Sequence, residues 1–245
     1  MENFSYKPID IEGLDTLNAL ANADKFNKWT YQTISPYCKG KVLEIGSGIG
    51  NISKFFLLDK KDIYLSDLRE NYIDSLKTTF SSPTQQTTVY QLDLVDVDFD
   101  SKYQHLFETF DTVFALNVVE HIKDHEVAIS NCKKLLKKDG HLIILVPAYQ
   151  LLYNQFDKNL EHYRRYTKKS LAKIFNANSL QITKQIYFNF IGIFGWFVSG
   201  KLRKKDIIPA NEIKLYNRLV PVFKIIDKII LKRIGLSVIT IGKKL

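Results

Sequence analysis

Cysteine is nearly missing from this chain: 245 residues hold only Cys38 and Cys132. Two cysteines so far apart exclude a disulfide framework or a zinc cluster and favour a reducing, cytoplasmic setting. The opening residues, MENFSYKPID, lack the basic start and apolar stretch of a secretion signal. FNFIGIFGWFVSG (188–200) is free of charge, but its 13 residues fall short of the about 20 that span a bilayer. No repeat, low-complexity tract or Gly/Ser linker interrupts the chain. With 45% hydrophobic and 25% charged residues, it reads as an ordinary globular protein. Its length suits one α/β domain with appendages or two small domains.

Acidic residues are short in one place above all. The formal net charge is +9, and between Lys201 and Arg233 ten basic residues face three acidic ones, a net of +7. A basic partner surface, if there is one, therefore lies near the C-terminus.

Glycine is scarce too, 11 in all, yet VLEIGSGIGN (42–51) sets Gly46, Gly48 and Gly50 within five positions. Glycines packed so closely supply positive φ or remove side chains from the path of a ligand. Between a buried strand and a helix, both needs meet where a nucleotide-like ligand sits on the strand's carboxyl end. A dinucleotide fingerprint would want a third glycine or alanine where Asn51 stands, which counts against NAD. About twenty residues on, Asp67 ends a second strand and can accept both ribose hydroxyls of a nucleoside, or cap a helix. Asp93, in YQLDL, is placed to accept an adenine amine.

The periodicity predicts a helix over 14–37 ended by Pro36, then strands at 41–46, 62–67, 87–94, 110–119, 141–147 and 180–188. Helices are expected at 51–58, at RENYIDSLKTTF, at 126–140 with Gly140 as its stop, and from 170; a last strand candidate is LSVITIGKK. Strands alternating with helices predict a doubly wound parallel sheet. About 45 residues between the last two strands form an insertion.

The ordered series EIGSGIG, SD, LDL, FDTVFALNVVEHI and LKKDGHLIILVP, over roughly 40–190, resembles class I S-adenosylmethionine-dependent methyltransferases. That resemblance implies an α/β, Rossmann-like, seven-stranded doubly wound sheet with the last strand antiparallel, here with a helical insertion between the last two strands. It divides the chain into an N-terminal helical cap (1–40), a core (41–190 with 236–245) and an amphipathic helical insertion (191–235) of the same domain. It implies S-adenosyl-L-methionine as cofactor, held by Glu44, Gly46, Ser47, Gly48, Gly50, Asp67, Leu68, Asp93, Leu94 and Asn117. The Asn/Asp-Pro-Pro-Tyr/Phe motif of adenine-N6 and glutamine methyltransferases is missing, as is a Pro-Cys nucleophile. NVVEH instead resembles the small-molecule and lipid-precursor branch.

DKNLEHYRRYTKKSL (157–171) carries an imidazole, two guanidinium forks and two phenols just after the fifth strand, and resembles an H-x-R-R-Y subgroup of bacterial methyltransferases. Many chains of that subgroup have glycine where this one has Glu161. His162 is the candidate for taking a proton from an acceptor hydroxyl, with His121 at the rim. Tyr149, Tyr153, Arg164, Arg165 and Tyr166 are the candidate acceptor-binding residues, the arginines as forks for phosphate or carboxylate. His121 and His125 stand four apart, a metal-ligand spacing, but no further Cys or His cluster completes a site, so no metal is expected.

In the insertion, Leu215, Leu219, Val222, Ile226, Ile229 and Ile230 share one broad face, with Lys224, Lys228 and Lys232 along another and Pro221 expected to kink or divide the helix. Core packing, a homodimer contact and peripheral contact with the inner face of a membrane all suit that pattern. A nucleic-acid surface suits it less well. The expected enzyme methylates oxygen or nitrogen of a small or lipid-linked acceptor. The alternatives are an RNA methyltransferase, a nicotinamide-dependent oxidoreductase or a scaffold without catalysis.

Overall fold

The structure, a computed structural model, describes residues 11–82, 85–202 and 210–245. Residues 1–10, read for a secretion signal, and 203–206 of the basic run lie outside the described residues.

Seven strands form one sheet: β1 (Val42–Ile45), β2 (Ile63–Asp67), β3 (Val89–Gln91), β4 (Phe110–Leu116), β5 (Leu136–Pro147), β6 (Leu180–Phe188) and β7 (Ser237–Lys244). Their order across the sheet is β3-β2-β1-β4-β5-β7-β6. All neighbours pair parallel except β7, which runs antiparallel to both β5 and β6. The expected sheet with its antiparallel last strand is therefore present.

Both faces of the central strands are covered, which is why they read as near-continuous apolar runs. Residues alternate between the two sides with the period of a strand. Leu43, Val113, Ala115, Leu142, Ile144 and Val146 join one buried cluster, while Val42, Phe114, Ile143 and Leu145 join the other. Helices α5 (Phe99–Tyr103), α6 (His125–Leu135) and α8 (Lys168–Ala177) cover the first side. Helices α2 (Asp24–Ile34), α3 (Ser53–Leu58), α4 (Glu70–Thr79) and α10 (Ala210–Ile229) contribute to the second, where Trp29, Phe56, Leu76, Val220 and Phe223 are buried.

The third strand is shorter than the periodicity predicts, Val89–Gln91 rather than 87–94, and three further places differ. The predicted helix over 14–37 is two helices, α1 (Ile11–Ala21) and α2, followed by a short 3-10 turn that contains Pro36. Helix α6 stops at Leu135 rather than Gly140, because 136–140 is extended and bulges between the pairings of Phe110 and Thr112. A Cβ at Gly140 would lie 2.9 Å from the Lys137 carbonyl oxygen, so this glycine permits a close backbone approach instead of capping a helix. Helix α10 runs unbroken through Pro221.

The insertion joins β6 to β7 through α9 (Phe190–Trp196), a π-helical turn (Phe197–Leu202) and α10. Buried Asp227 of α10 accepts the N–H groups of Asn189 and Phe190 at 2.7 and 2.8 Å, fixing where β6 passes into α9.

Candidate active site

From β1 the chain winds outward through β2 and β3 on one side, and through β4 and β5 on the other. The crevice at the carboxyl ends of β1 and β4 is thus the switch point where ligands bind in such sheets. Two turns flank it. Gly46, Gly48 and Gly50 have φ of 68°, 55° and 80°, a left-handed path that side chains resist. A Cβ at Gly46 would come within 2.4 Å of Val118 Cγ2, so the turn after β1 touches the turn after β4.

Asp67 ties the glycine turn to β2. Its Oδ2 accepts the Gly48 N–H at 2.9 Å and its Oδ1 the Arg69 N–H at 3.1 Å. Burial pushes its carboxyl above the ordinary value. Ser47 donates its N–H to the Ser66 carbonyl at 2.8 Å, and Leu68 follows half-buried. Glu44 lies behind the turn, where the Ser53 hydroxyl donates to it; burial raises its carboxyl to about 8. Asn51 donates to the Leu17 carbonyl at 2.9 Å, which lays α1 against the turn.

Asp93 lies two residues beyond the end of β3, half-buried, with Oδ1 accepting the Val95 N–H; Leu94 beside it is buried. Asn117 sits just past β4 with φ 54°, exposed, its N–H donated to the Leu145 carbonyl.

On the acceptor side, α7 (Gln155–Asn159) begins with a capping box between Asn154 and Asp157. It ends in a left-handed turn: Glu161 has φ 58°, its N–H reaches the Lys158 carbonyl, and the His162 N–H reaches the Asp157 carbonyl at 2.8 Å. This is the Schellman arrangement, whose left-handed residue is usually glycine. The turn brings His162 back onto its own helix. Its Nδ1 lies 2.8 Å from Asp157 Oδ1, which also accepts Arg165 Nε at 2.8 Å. All three side chains are buried. Burial alone would raise the Asp157 carboxyl, but the hydrogen bond from His162 and the charge of Arg165 hold it below the ordinary value.

The His162 ring packs edge-on against His121, centroids 4.6 Å apart. Burial, with His162 and Arg69 nearby, lowers His121 to about 3. Glu120 is sealed from solvent with both carboxylate oxygens unpaired, and burial raises it to about 8. One ligand atom from each of Glu120, His121 and His162 lies within 4.8 Å of the others.

The remaining candidates have other placements. Arg164 donates to the carbonyls of Ile122 and Lys123 at 3.3 and 2.8 Å, which secures the segment after His121. Arg165 also donates to the Ala148 carbonyl and faces the Trp196 ring at 4.7 Å. The Tyr153 hydroxyl donates to the His162 carbonyl at 2.7 Å. Tyr149 stacks on Tyr187 at 5.0 Å, and the buried Tyr166 hydroxyl lies 2.8 Å from His125 Nδ1. The sequence does not mark Glu120 or Asp157 as site residues. Glu120 had a signal in adjoining His121 in VVEH, whereas nothing in the spacing of Asp157 and His162 marks them as a pair.

The family described as "Methyltransferase domain" matches residues 12–185, more than half of the chain, and the chain belongs to it. Membership in that family agrees with a glycine turn built for S-adenosylmethionine and speaks further against NAD at Asn51. A ubiquinone biosynthesis O-methyltransferase of Coxiella burnetii is 27% identical over 183 residues, covering 73% of this chain and 70% of that protein. A PKS-NRPS hybrid synthetase, cheA, of Chaetomium globosum is 28% identical over 54% of this chain, which spans only 3% of that protein's length. Among solved structures, an S-adenosylmethionine-dependent methyltransferase of Thermotoga maritima aligns with a TM-score of 0.61 at 15% identity, over 94% of this chain and 95% of that one.

Proposed function

We propose that the enzyme methylates a hydroxyl group of a small or lipid-linked acceptor. The observation that carries this reading is the cluster of Glu120, His121 and His162, in which Asp157 holds His162, just past Val118, which touches the glycine turn. Methyl transfer to a hydroxyl needs in-line placement of donor and acceptor and removal of one proton. The acceptor oxygen bonds to the methyl carbon as the carbon–sulfur bond breaks, sulfur keeps the electron pair, and the hydroxyl proton leaves through this cluster. The Coxiella burnetii relative is an O-methyltransferase of ubiquinone biosynthesis, which supports an oxygen acceptor. The test is turnover of catechols and polyprenyl phenols, followed as S-adenosylhomocysteine formed. His162→Ala should keep cofactor affinity and lower turnover by about 10²–10⁴-fold. Equal turnover in that variant removes His162 from the chemistry.

A second reading concerns the insertion. Leu215, Leu219, Val222, Ile225 and Ile229 are exposed along α10, flanked by Lys214, Arg218 and Lys228. No helix among the described residues is long and apolar enough to cross a membrane. The occupant we assign to this stripe is an anionic lipid surface on the cytoplasmic side, since apolar side chains with basic flanks complement it and each lysine there contributes about 1 kcal/mol. Vesicles containing anionic lipid should sediment the enzyme at low salt and release it at high salt, and Ile225→Glu should weaken the binding. Indifference to lipid with concentration-dependent self-association assigns the stripe to a homodimer instead.

A further inference from the structure

We infer that Glu120, His121 and His162 bind one divalent cation of the zinc class, placed to take the acceptor hydroxyl as a further ligand. Only the hydroxyl's part in this rests on the oxygen-acceptor reading above. The ligand atoms lie within 4.8 Å of one another. An ion at about 2.0–2.2 Å from each would set them about 3–3.5 Å apart, which small side-chain rotations achieve. Glu120 is the decisive group. Both its carboxylate oxygens are buried and make no hydrogen bond, which a cluster serving only the fold would not leave so.

His162 is arranged as a metal ligand is: it gives Nδ1 to Asp157 at 2.8 Å, which leaves Nε2, and the His121 ring lies edge-on to it at 4.6 Å. Ligating histidines are characteristically fixed through the other nitrogen by a carboxylate or a backbone carbonyl. Asp157 is itself fixed by Arg165 Nε and by the Asn154 N–H at 2.9 Å. Two imidazoles and one carboxylate suit a first-row divalent cation with positions left open for water or substrate. A hydroxyl in an open position becomes more acidic, passes its proton to water, and its oxygen takes the methyl carbon as the carbon–sulfur bond breaks, leaving the thioether.

The test uses the full chain, stripped with EDTA and titrated with Co²⁺ in the presence of S-adenosylhomocysteine. One Co²⁺ per chain is expected, with visible absorption bands that Zn²⁺ removes. Glu120→Gln and His121→Gln should each weaken uptake, and Asp157→Asn should weaken it by about 10–100-fold. A chain that binds S-adenosylhomocysteine but takes up no Co²⁺ overturns the site and leaves the methyltransferase reading intact. Uptake unchanged in both Glu120→Gln and His121→Gln overturns it as well. Uptake that depends on those residues, without turnover on any hydroxyl acceptor, upholds the site and removes the oxygen-acceptor reading.

Discussion

Asp67 offers the sharpest test of the cofactor site, because its hydrogen bonds can be counted. A carboxylate presents about four lone-pair sites. The N–H groups of Gly48 and Arg69 take one on each oxygen, at 2.9 and 3.1 Å, which leaves one on each for the two hydroxyls of a ribose. Asp67→Asn keeps the shape but has a single acceptor oxygen, and its amide N–H₂ faces a backbone N–H. Two charge-assisted hydrogen bonds at about 1.5–3 kcal/mol each are weakened, so we expect a net loss near 3 kcal/mol, or about 10²-fold in affinity. Calorimetry with S-adenosylhomocysteine measures this directly, and circular dichroism checks the fold. Affinity within threefold of the original, in a folded variant, would refute the assignment of Asp67 to the ribose. The pH profile adds an independent sign. Burial raises the Asp67 carboxyl in the free protein, with Arg69 pulling it down and buried Glu44 as its acidic neighbour. Hydroxyls that donate to it favour the ionised form. Affinity should therefore be full above that raised value and fall as pH drops through it.

Three further outcomes follow from the same geometry. Glu161→Gly relieves a left-handed residue costing about 1–2 kcal/mol while adding freedom to the unfolded chain, so a net gain of about 0.5–1 kcal/mol should appear as a higher melting temperature. A lower one would show that the Glu161 side chain matters more than its backbone. Arg164→Ala should lower the melting temperature by removing its bonds to the Ile122 and Lys123 carbonyls, with cofactor affinity unchanged; an unaltered melting temperature with a raised acceptor KM would make it an acceptor ligand. Asp227→Ala leaves the N–H groups of Asn189 and Phe190 without their acceptor, at about 1–3 kcal/mol each, and a loss under 1 kcal/mol in urea unfolding would contradict that anchoring role.

How far the sequence can be read depends on how local the cause is. The strands β1, β4 and β5 announce themselves because burial on both faces demands apolar residues at most central positions, and the glycine turn because left-handed φ excludes side chains. Gly140 misleads, since a glycine that admits a neighbouring carbonyl looks in sequence like one that ends a helix. The acceptor side is the least legible. Asp157 meets His162 only through the turn at Glu161, where the glycine cue for that turn is missing. His121 and His162 meet only because β4 and the segment after β5 deliver their loops to one edge of the sheet. Neither juxtaposition leaves a spacing that could be recognised.

Trp196 shows why the insertion and the site belong to one argument. An uncharged aromatic run beside basic residues suggests a ring that leaves water for lipid. In the structure the Trp196 N–H donates to the Leu152 carbonyl at 3.2 Å, and its ring lies against Phe156 and the Arg165 guanidinium. Arg165 in turn holds Asp157, which holds His162. Helix α9 therefore forms part of the support behind the acceptor cluster, while Phe194, Phe197 and Val198 and the stripe along α10 are open to solvent. Displacing α9 would strip the aromatic face from a buried cation that a desolvated ring stabilises by about 2 kcal/mol. A change in Trp196 emission on adding vesicles would thus report a shift at Arg165, not entry of the ring into lipid. With Trp29→Phe as background, such a change should vanish in Ile225→Glu, which cannot dock, and should persist in His162→Ala, which leaves the Trp196–Arg165 contact in place.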